Sequence, residues 1–208
     1  TKIKNIFFKS QIKKFKKDNK FFLQKKNITH DYFSPNAFNF QITLENYKSF
    51  DFLEIGSFEG NATMFVARRF PNCKIVSVDN WIGTEEYKNL NFNHLEKNFD
   101  ENVKEFKNIT KIKSLSDDYF KNYNTEFDII YIDGYHKAEQ VYKDFKNAWK
   151  VLRNNGTIIF DDYIWQFYNQ ISDNPCFAIN SYLAELNKNY KIIRVSNSQL
   201  FIKKNEQT

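Results

Sequence analysis

The chain has 208 residues, 41% of them hydrophobic and 18% aromatic; this suits one domain, or one domain with an appendage, and excludes global disorder, while no apolar run approaches a membrane span. The net charge is +6, yet residues 1–30 hold ten Lys and one Asp, so the excess lies in an N-terminal segment and the rest is slightly acidic. Two cysteines, Cys73 and Cys176, exclude a disulfide framework and a four-cysteine zinc site, and predict a reducing, cytoplasmic setting.

Arg supplies only four of the 31 basic residues, and Lys, Asn, Ile, Phe and Tyr are abundant together, so part of the basicity reflects an AT-rich coding bias. Ile6-Phe7-Phe8 and Phe21-Phe22-Leu23 are too short for a signal-peptide core. The chain opens on Thr1 rather than Met, which predicts that it is trimmed or cut from something longer. Gln11 to Gln24 mixes apolar residues and lysines in a loosely helical pattern and reads as a basic helix or arm, giving a division into an N-terminal extension, 1–30, and a domain, 31–208. Such an arm either contacts nucleic acid or an acidic membrane or is a solvated, lysine-faced helix.

Asn27 to Asn39 is a loop with Ser34-Pro35 in it, and Phe40 to Tyr47 a short helix. Strands and helices then alternate. Strands are expected at Phe50–Ile55, Lys74–Val78, Thr110–Ser114, Phe127–Ile132 and Thr157–Phe160. Helices are expected at Ala62–Phe70, Leu90–Phe106, Ser116–Asn122, Ala138–Leu152 and Phe177–Leu186. Tyr190–Val195 and Gln199–Lys203 form a terminal strand pair with a short turn between them. The pattern predicts an α/β fold of the Rossmann-like, doubly wound kind. Its sheet is mostly parallel, with an antiparallel strand near one edge and helices on both faces.

Of five glycines, four (Gly56, Gly60, Gly83 and Gly134) follow the C-terminal ends of predicted strands, where ligands bind in open α/β sheets. Gly156, in Asn154-Asn155-Gly156, reads as a plain turn after a helix. The loop from Glu54 to Thr63 leaves the first strand and opens a helix, so it presents backbone N–H groups to a ligand. It is not a dinucleotide fingerprint, because Phe58 stands where a glycine would admit a pyrophosphate. The second strand ends on Asp79, an acid suited to ribose hydroxyls. A glycine turn and a ribose acid without a phosphate cradle point to S-adenosylmethionine.

Asp133 ends one strand and Asp161-Asp162 the next. On neighbouring strands the three carboxylates would crowd one edge about 4.8 Å apart. Crowding of that kind calls for a compensating cation, and oxygen-only ligands suit Mg²⁺ or a similar hard ion. Otherwise Asp161 or Asp162 caps the following segment and Asp133 contacts the cofactor amine. His136, three residues after Asp133, is a candidate base for a hydroxyl nucleophile, with second-shell orientation or helix capping as its other reading. His30 and His94 lack such a context. Trp81 either packs on the adenine or belongs to the core. Glu85, Glu86, Asn36, Asn39 and Trp165 are further candidates for the acceptor pocket, without assigned roles.

Phe52-Leu53-Glu54-Ile55-Gly56-Ser57-Phe58-Glu59-Gly60, Val78-Asp79-Asn80-Trp81, Ile132-Asp133-Gly134-Tyr135-His136 and Phe160-Asp161-Asp162-Tyr163 together resemble class I S-adenosylmethionine-dependent methyltransferases. The closer likeness is to small O-methyltransferases, including metal-dependent enzymes acting on sugar hydroxyls, and it runs from about Asp31 to Lys204. The resemblance implies cofactor contacts from Glu54, Gly56, Ser57, Phe58, Gly60, Asp79, Asn80, Trp81, Ser116 and Asp133. It also implies Mg²⁺ on Asp133, Asp161 and Asp162, and catalysis by His136 with Asp133. The acceptor would be a small-molecule hydroxyl, a sugar above all, and the protein a possible homo-oligomer. Asn174-Pro175-Cys176-Phe177 superficially resembles a motif of base methyltransferases. It follows the wrong strand, so it reads as a turn opening a helix and counts against nucleic acid as substrate. Three rival readings stay open: a nucleic-acid-directed methyltransferase using the basic arm, a non-catalytic cofactor-binding module, and a nicotinamide-dependent oxidoreductase.

Overall fold

In the computed structural model, residues 10–15, 17, 27–87, 92–196 and 198–206 are described. Seven strands form one sheet: β1 (Asp51–Ile55), β2 (Lys74–Asp79), β3 (Ile109–Lys113), β4 (Phe127–Ile132), β5 (Leu152–Phe160), β6 (Tyr190–Val195) and β7 (Leu200–Lys204). Their order is β3-β2-β1-β4-β5-β7-β6. The first five run parallel, and β7 is antiparallel to both β5 and β6. The expected Rossmann-like architecture is therefore present. The reversed strand lies one place in from the edge, because a short turn after β6 returns the chain into the gap beside β5.

The strands are apolar on both faces, as a sheet covered on both sides requires. Phe52, Ile129, Tyr131, Ile159 and Phe201 face one way, against α1 (Ala37–Leu44) and α2 (Asn61–Arg69). Their chain neighbours Leu53, Ile130, Ile132, Ile158, Phe160 and Ile202 face the other way. That second face is covered by α5 (Ala138–Val151) and α6 (Pro175–Glu185), with α4 (Ser116–Asn122) beside them. A smaller cluster of Trp81, Leu95 and Phe99 forms under α3 (Leu95–Val103).

Two expectations are corrected. The helix expected from Leu90 begins only at Leu95, after a 3₁₀ turn at Phe92–His94. The turn expected at Asn154-Asn155-Gly156 lies inside β5, which starts directly after α5 at Leu152. Four residues there bulge against Asp128, with Asn155 at φ 62°. A Cβ on Gly156 would stand 2.8 Å from the Asp128 carbonyl oxygen, so glycine serves close packing there. The basic arm is helical over residues 10–15, and Phe15 is buried against Phe38 and Phe65, with ring centroids 5.4 and 6.2 Å away. The rest of the expected helix lies largely outside the described residues.

Candidate active site

The sheet order reverses between β1 and β4, and their following loops meet there. Gly56 sits at φ 86°, and a Cβ on it would lie 2.0 Å from the Asp133 carbonyl oxygen. Only glycine lets the two loops touch. A cavity of about 1250 Å³ opens above this contact. Gly56, Phe58, Asp79, Asn80, Ser116, Asp133, His136, Asp161 and Asp162 all line it.

Asp79 is braced by its own loops. Its Oδ2 accepts the N–H of Ser57 at 2.8 Å and of Phe58 at 2.9 Å, and its Oδ1 accepts the N–H of Trp81 at 2.7 Å. Burial raises its pKa, and these backbone donors oppose that rise. About one acceptor site of roughly four remains for a ligand hydroxyl. Phe58 and Trp81, which donate two of these N–H groups, both carry positive φ, 47° and 52°.

Four expected cofactor residues do not line the cavity. Glu54 is fully buried, accepts hydrogen bonds from Thr63 and Ser77, and has its pKa raised to about 7 by burial. Ser57 reaches the site through its backbone N–H to Asp79. Gly60 precedes α2 at φ 81° with Phe99 and Val103 against it. The Trp81 indole is turned into the core beside Phe99, 4.9 Å between centroids, and its Nε1 donates to the Phe58 carbonyl at 2.8 Å. Of its two readings, core packing is the one the geometry shows.

Residues that the sequence reading passed over complete this end of the cavity. Gln140 and Asp144, one turn apart on α5, both line it beside Ser116. Gln140 Nε2 lies 3.1 Å from Ser116 Oγ and 3.0 Å from Asp144 Oδ1. Asp144 is buried, and burial pushes its carboxyl up to about 7. The signal was a polar pair on the buried face of a helix that otherwise presents Val141, Phe145 and Ala148.

The acid end is assembled differently. Asp133, His136 and Asp162 each offer one ligand atom, and these atoms lie within 4.8 Å of one another. His136 is buried, and its Nε2 has no hydrogen-bond partner among the described residues, although Asp162 Oδ2 faces it at 3.2 Å and Asp133 Oδ1 at 3.5 Å. Its Nδ1 is held 3.1 Å from Glu86 Oε2, and Glu86 Oε1 accepts the His136 backbone N–H and the Tyr168 hydroxyl. Glu86, on the long connection after β2, thereby sets the orientation of the ring from 50 positions away. Nothing in the local sequence signals that link. Trp165 covers the ring at 4.9 Å, and Asn174, which caps α6, ties down Phe167 and Tyr168 through its side chain.

Asp161 stands apart from the expected trio. Its Oδ2 is 2.5 Å from the Tyr131 hydroxyl, and its Oδ1 accepts from Asn36 Nδ2 at 3.3 Å. It continues the sheet face that carries Ile159 of β5 and Tyr131 of β4, whereas Asp162, at φ 50°, turns toward His136. Tyr131 also lies 2.8 Å from Asp133 Oδ2, and a phenol has only one proton to donate. Crowding shows in the pKa values: burial, and then a neighbouring carboxylate, push Asp133, Asp161 and Asp162 each up to about 6. Burial works to lower His136, but contact with Asp133 and Glu86 outweighs it and pushes the imidazole up to about 10. The residue set fits a divalent cation: two carboxylate oxygens and one orphaned buried nitrogen converge on one point.

The model of a family described as methyltransferase domain matches residues 53–163, from the middle of β1 to just past Asp162. An uncharacterised protein of Acanthamoeba polyphaga mimivirus is 29% identical over 117 residues, and the chain spans about half the length of this curated relative (54% of the chain, 51% of the relative). A putative O-methyltransferase from Klebsiella pneumoniae superposes with a TM-score of 0.65 at 15% identity, over 86% of this chain and 84% of that one. The MycE methyltransferase of the mycinamycin biosynthetic pathway, solved with Mg, S-adenosylhomocysteine and mycinamycin VI, gives a TM-score of 0.63 at 17% identity. That superposition covers 90% of this chain and 53% of MycE. The structural likenesses show a shared fold, and the family model spans more than half of the sequence together with both loops of the switch point. The chain belongs to the methyltransferase-domain family.

Proposed function

We propose that this protein transfers the methyl group of S-adenosylmethionine to a hydroxyl of a small molecule, a sugar or similar polyol, at a site that also holds a divalent cation. One observation carries the reading: the orphaned Nε2 of buried His136 faces two carboxylates inside the cavity that Asp79 and Gly56 border. The neighbour solved with Mg and S-adenosylhomocysteine supports the same reading.

Bound S-adenosylmethionine supplies an activated methyl on a sulfonium sulfur. Asp133 and Asp162 would hold a divalent cation, whose positive charge would offset the crowded acids and lower the pKa of an acceptor hydroxyl. Asp79 receives the ribose, and the Gly56–Gly60 loop borders the methionine end. Gln140, Asp144 and Ser116 line the place for the adenine. Tyr131 and Asn36 keep Asp161 in place behind the cluster. Glu86 holds the ring at Nδ1, so that in the neutral imidazole, with a cation offsetting the carboxylates that otherwise keep it protonated, Nε2 would be the atom that accepts the hydroxyl proton as the methyl transfers. Phe58 and Trp165 flank the cavity and exclude water.

The test is S-adenosylhomocysteine and Mg²⁺ calorimetry, followed by turnover on a panel of sugars. His136→Gln is expected to lower turnover by roughly 10²–10⁴-fold with Mg²⁺ affinity unchanged. Loss of Mg²⁺ affinity instead would make the imidazole a metal ligand, and absence of S-adenosylhomocysteine binding would end the reading.

A further inference from the structure

We infer that the cavity continues past the acid cluster into an oxyanion subsite built on Arg194, so that the methyl acceptor carries a carboxylate or phosphate group remote from the reacting hydroxyl. The inference rests on the methyl-transfer reading above and deepens it by naming a property of the substrate. Arg194 lies on β6 opposite Phe201 of β7, which in turn pairs with Ile159 of β5, two residues before Asp161. Two strand spacings, about 10 Å, separate its backbone from that of Ile159. Arg194 lines the same cavity as Asp133 and His136.

Among the described residues the guanidinium has no hydrogen-bond or ion-pair partner, and Glu45 acts only through its field. Its Nε is sealed from solvent, while the residue as a whole is half-buried. Desolvation lowers its pKa, the expected response of a cation placed in a pocket without a counter-charge. An anionic ligand would supply that counter-charge through the planar, two-pronged geometry of the guanidinium.

Polar side chains line the cavity near both charge centres. Asn36 Nδ2 donates to Asp161, and Ser198 Oγ lies 3.2 Å from Asn36 Oδ1. Asn39 and Ser196 line the same cavity as Arg194. The cavity, at about 1250 Å³, exceeds the roughly 300–1,000 Å³ of a single-ligand pocket, so a cofactor and an extended acceptor fit together. An anion is repelled by the three aspartates and drawn to Arg194, so the two centres would bind a hydroxylated acid in one orientation only.

The experiment uses ¹⁵N-labelled full chain, without added divalent cation, in the presence and in the absence of S-adenosylhomocysteine. The Nε–H signals of its four arginines are followed, with that of Arg194 assigned by its loss in Arg194→Lys. Sodium acetate and inorganic phosphate are titrated separately at constant ionic strength. A saturable shift of the Arg194 signal, with those of Arg68, Arg69 and Arg153 unmoved, is the expected result. The more effective anion tells a carboxylate-bearing acceptor from a phosphate-bearing one. Arg194→Met is expected to weaken anion binding by about tenfold or more, measured by calorimetry, with S-adenosylhomocysteine affinity unchanged as proof of folding. No saturable shift with either anion, or equal shifts of all four arginines, overturns the subsite while leaving the methyltransferase reading intact. Failure of S-adenosylhomocysteine to bind would instead strike that reading.

Discussion

At one end of the cavity Asp79 spends three of its acceptor sites on backbone N–H groups. At the other, Asp133, Asp161 and Asp162 crowd around one tyrosine hydroxyl and one imidazole. The first end is complete as protein. Its carboxylate is held in shape by turns of its own loops, two of them at positive φ, and a ligand has only to meet what is left over. The second end is incomplete as protein, since three buried acids are pushed up to about 6 and His136 Nε2 has no partner among the described residues. A satisfied site orients a ligand, whereas an unsatisfied one is poised for charge that comes from outside.

The change expected to break both ends at once is Gly56→Ala. The new methyl would stand 2.0 Å from the Asp133 carbonyl oxygen on a backbone at φ 86°, so neither end can keep its place. Destabilisation of about 4 kcal/mol or more and loss of S-adenosylhomocysteine binding are expected, measured by urea unfolding and calorimetry. Next in size, Asp162→Ala should separate the ends. Turnover with Mg²⁺ is expected to fall by roughly 100-fold or more, with S-adenosylhomocysteine affinity retained. Equal losses in both measurements would mean that the two ends are one unit.

Asp79→Asn probes the complete end. An amide nitrogen cannot accept a backbone N–H, so one of the three bracing bonds is lost along with the charge. Cofactor affinity is expected to weaken by about 10- to 100-fold while Mg²⁺ affinity holds.

The pH profile of stability is a finer probe. Glu54 and Asp144 are both raised to about 7 by burial, so the folded chain binds their protons more tightly than the unfolded chain does. Their contribution is fully present near pH 4 and is lost as pH rises through about 7. Unfolding free energy should therefore decline between pH 5 and pH 8, and Asp144→Asn should flatten part of that decline. A profile that rises over this range would show that both groups are ionised in the fold. The smallest effect is expected from Trp81→Phe, which removes the bond to the Phe58 carbonyl and costs about 1 kcal/mol. Unchanged S-adenosylhomocysteine affinity would confirm the indole as core, and a large loss would return it to the adenine.

Much of the complete end was legible. Strands alternating with helices implied a mostly parallel sheet with helices on both faces, and glycines and an acid at strand ends marked the carboxyl edge. What could not be read was the direction of side chains at left-handed positions. A positive φ sends the Trp81 indole into the core, and of the paired acids Asp162, also at positive φ, reaches the expected cluster beside His136 while Asp161 turns to Tyr131. Gln140 and Asp144 were missed as site residues, and Glu86 was named without a role, because their partners are brought to them by folding. Glu86 lies 50 positions from His136 and Gln140 24 from Ser116.

By itself the sequence determined the order of strands and helices, the loops that would share one edge, and the family, because hydrophobic period and glycine placement are local properties of a chain. The tertiary structure alone decided which acids converge. Asp161 was drawn to Tyr131 and Asn36, Asp162 turned to His136, and Arg194 came to face the same cavity from the far strand. Such choices depend on distances between strands and on which buried polar group finds a partner first, and neither is encoded in the spacing of residues along the chain.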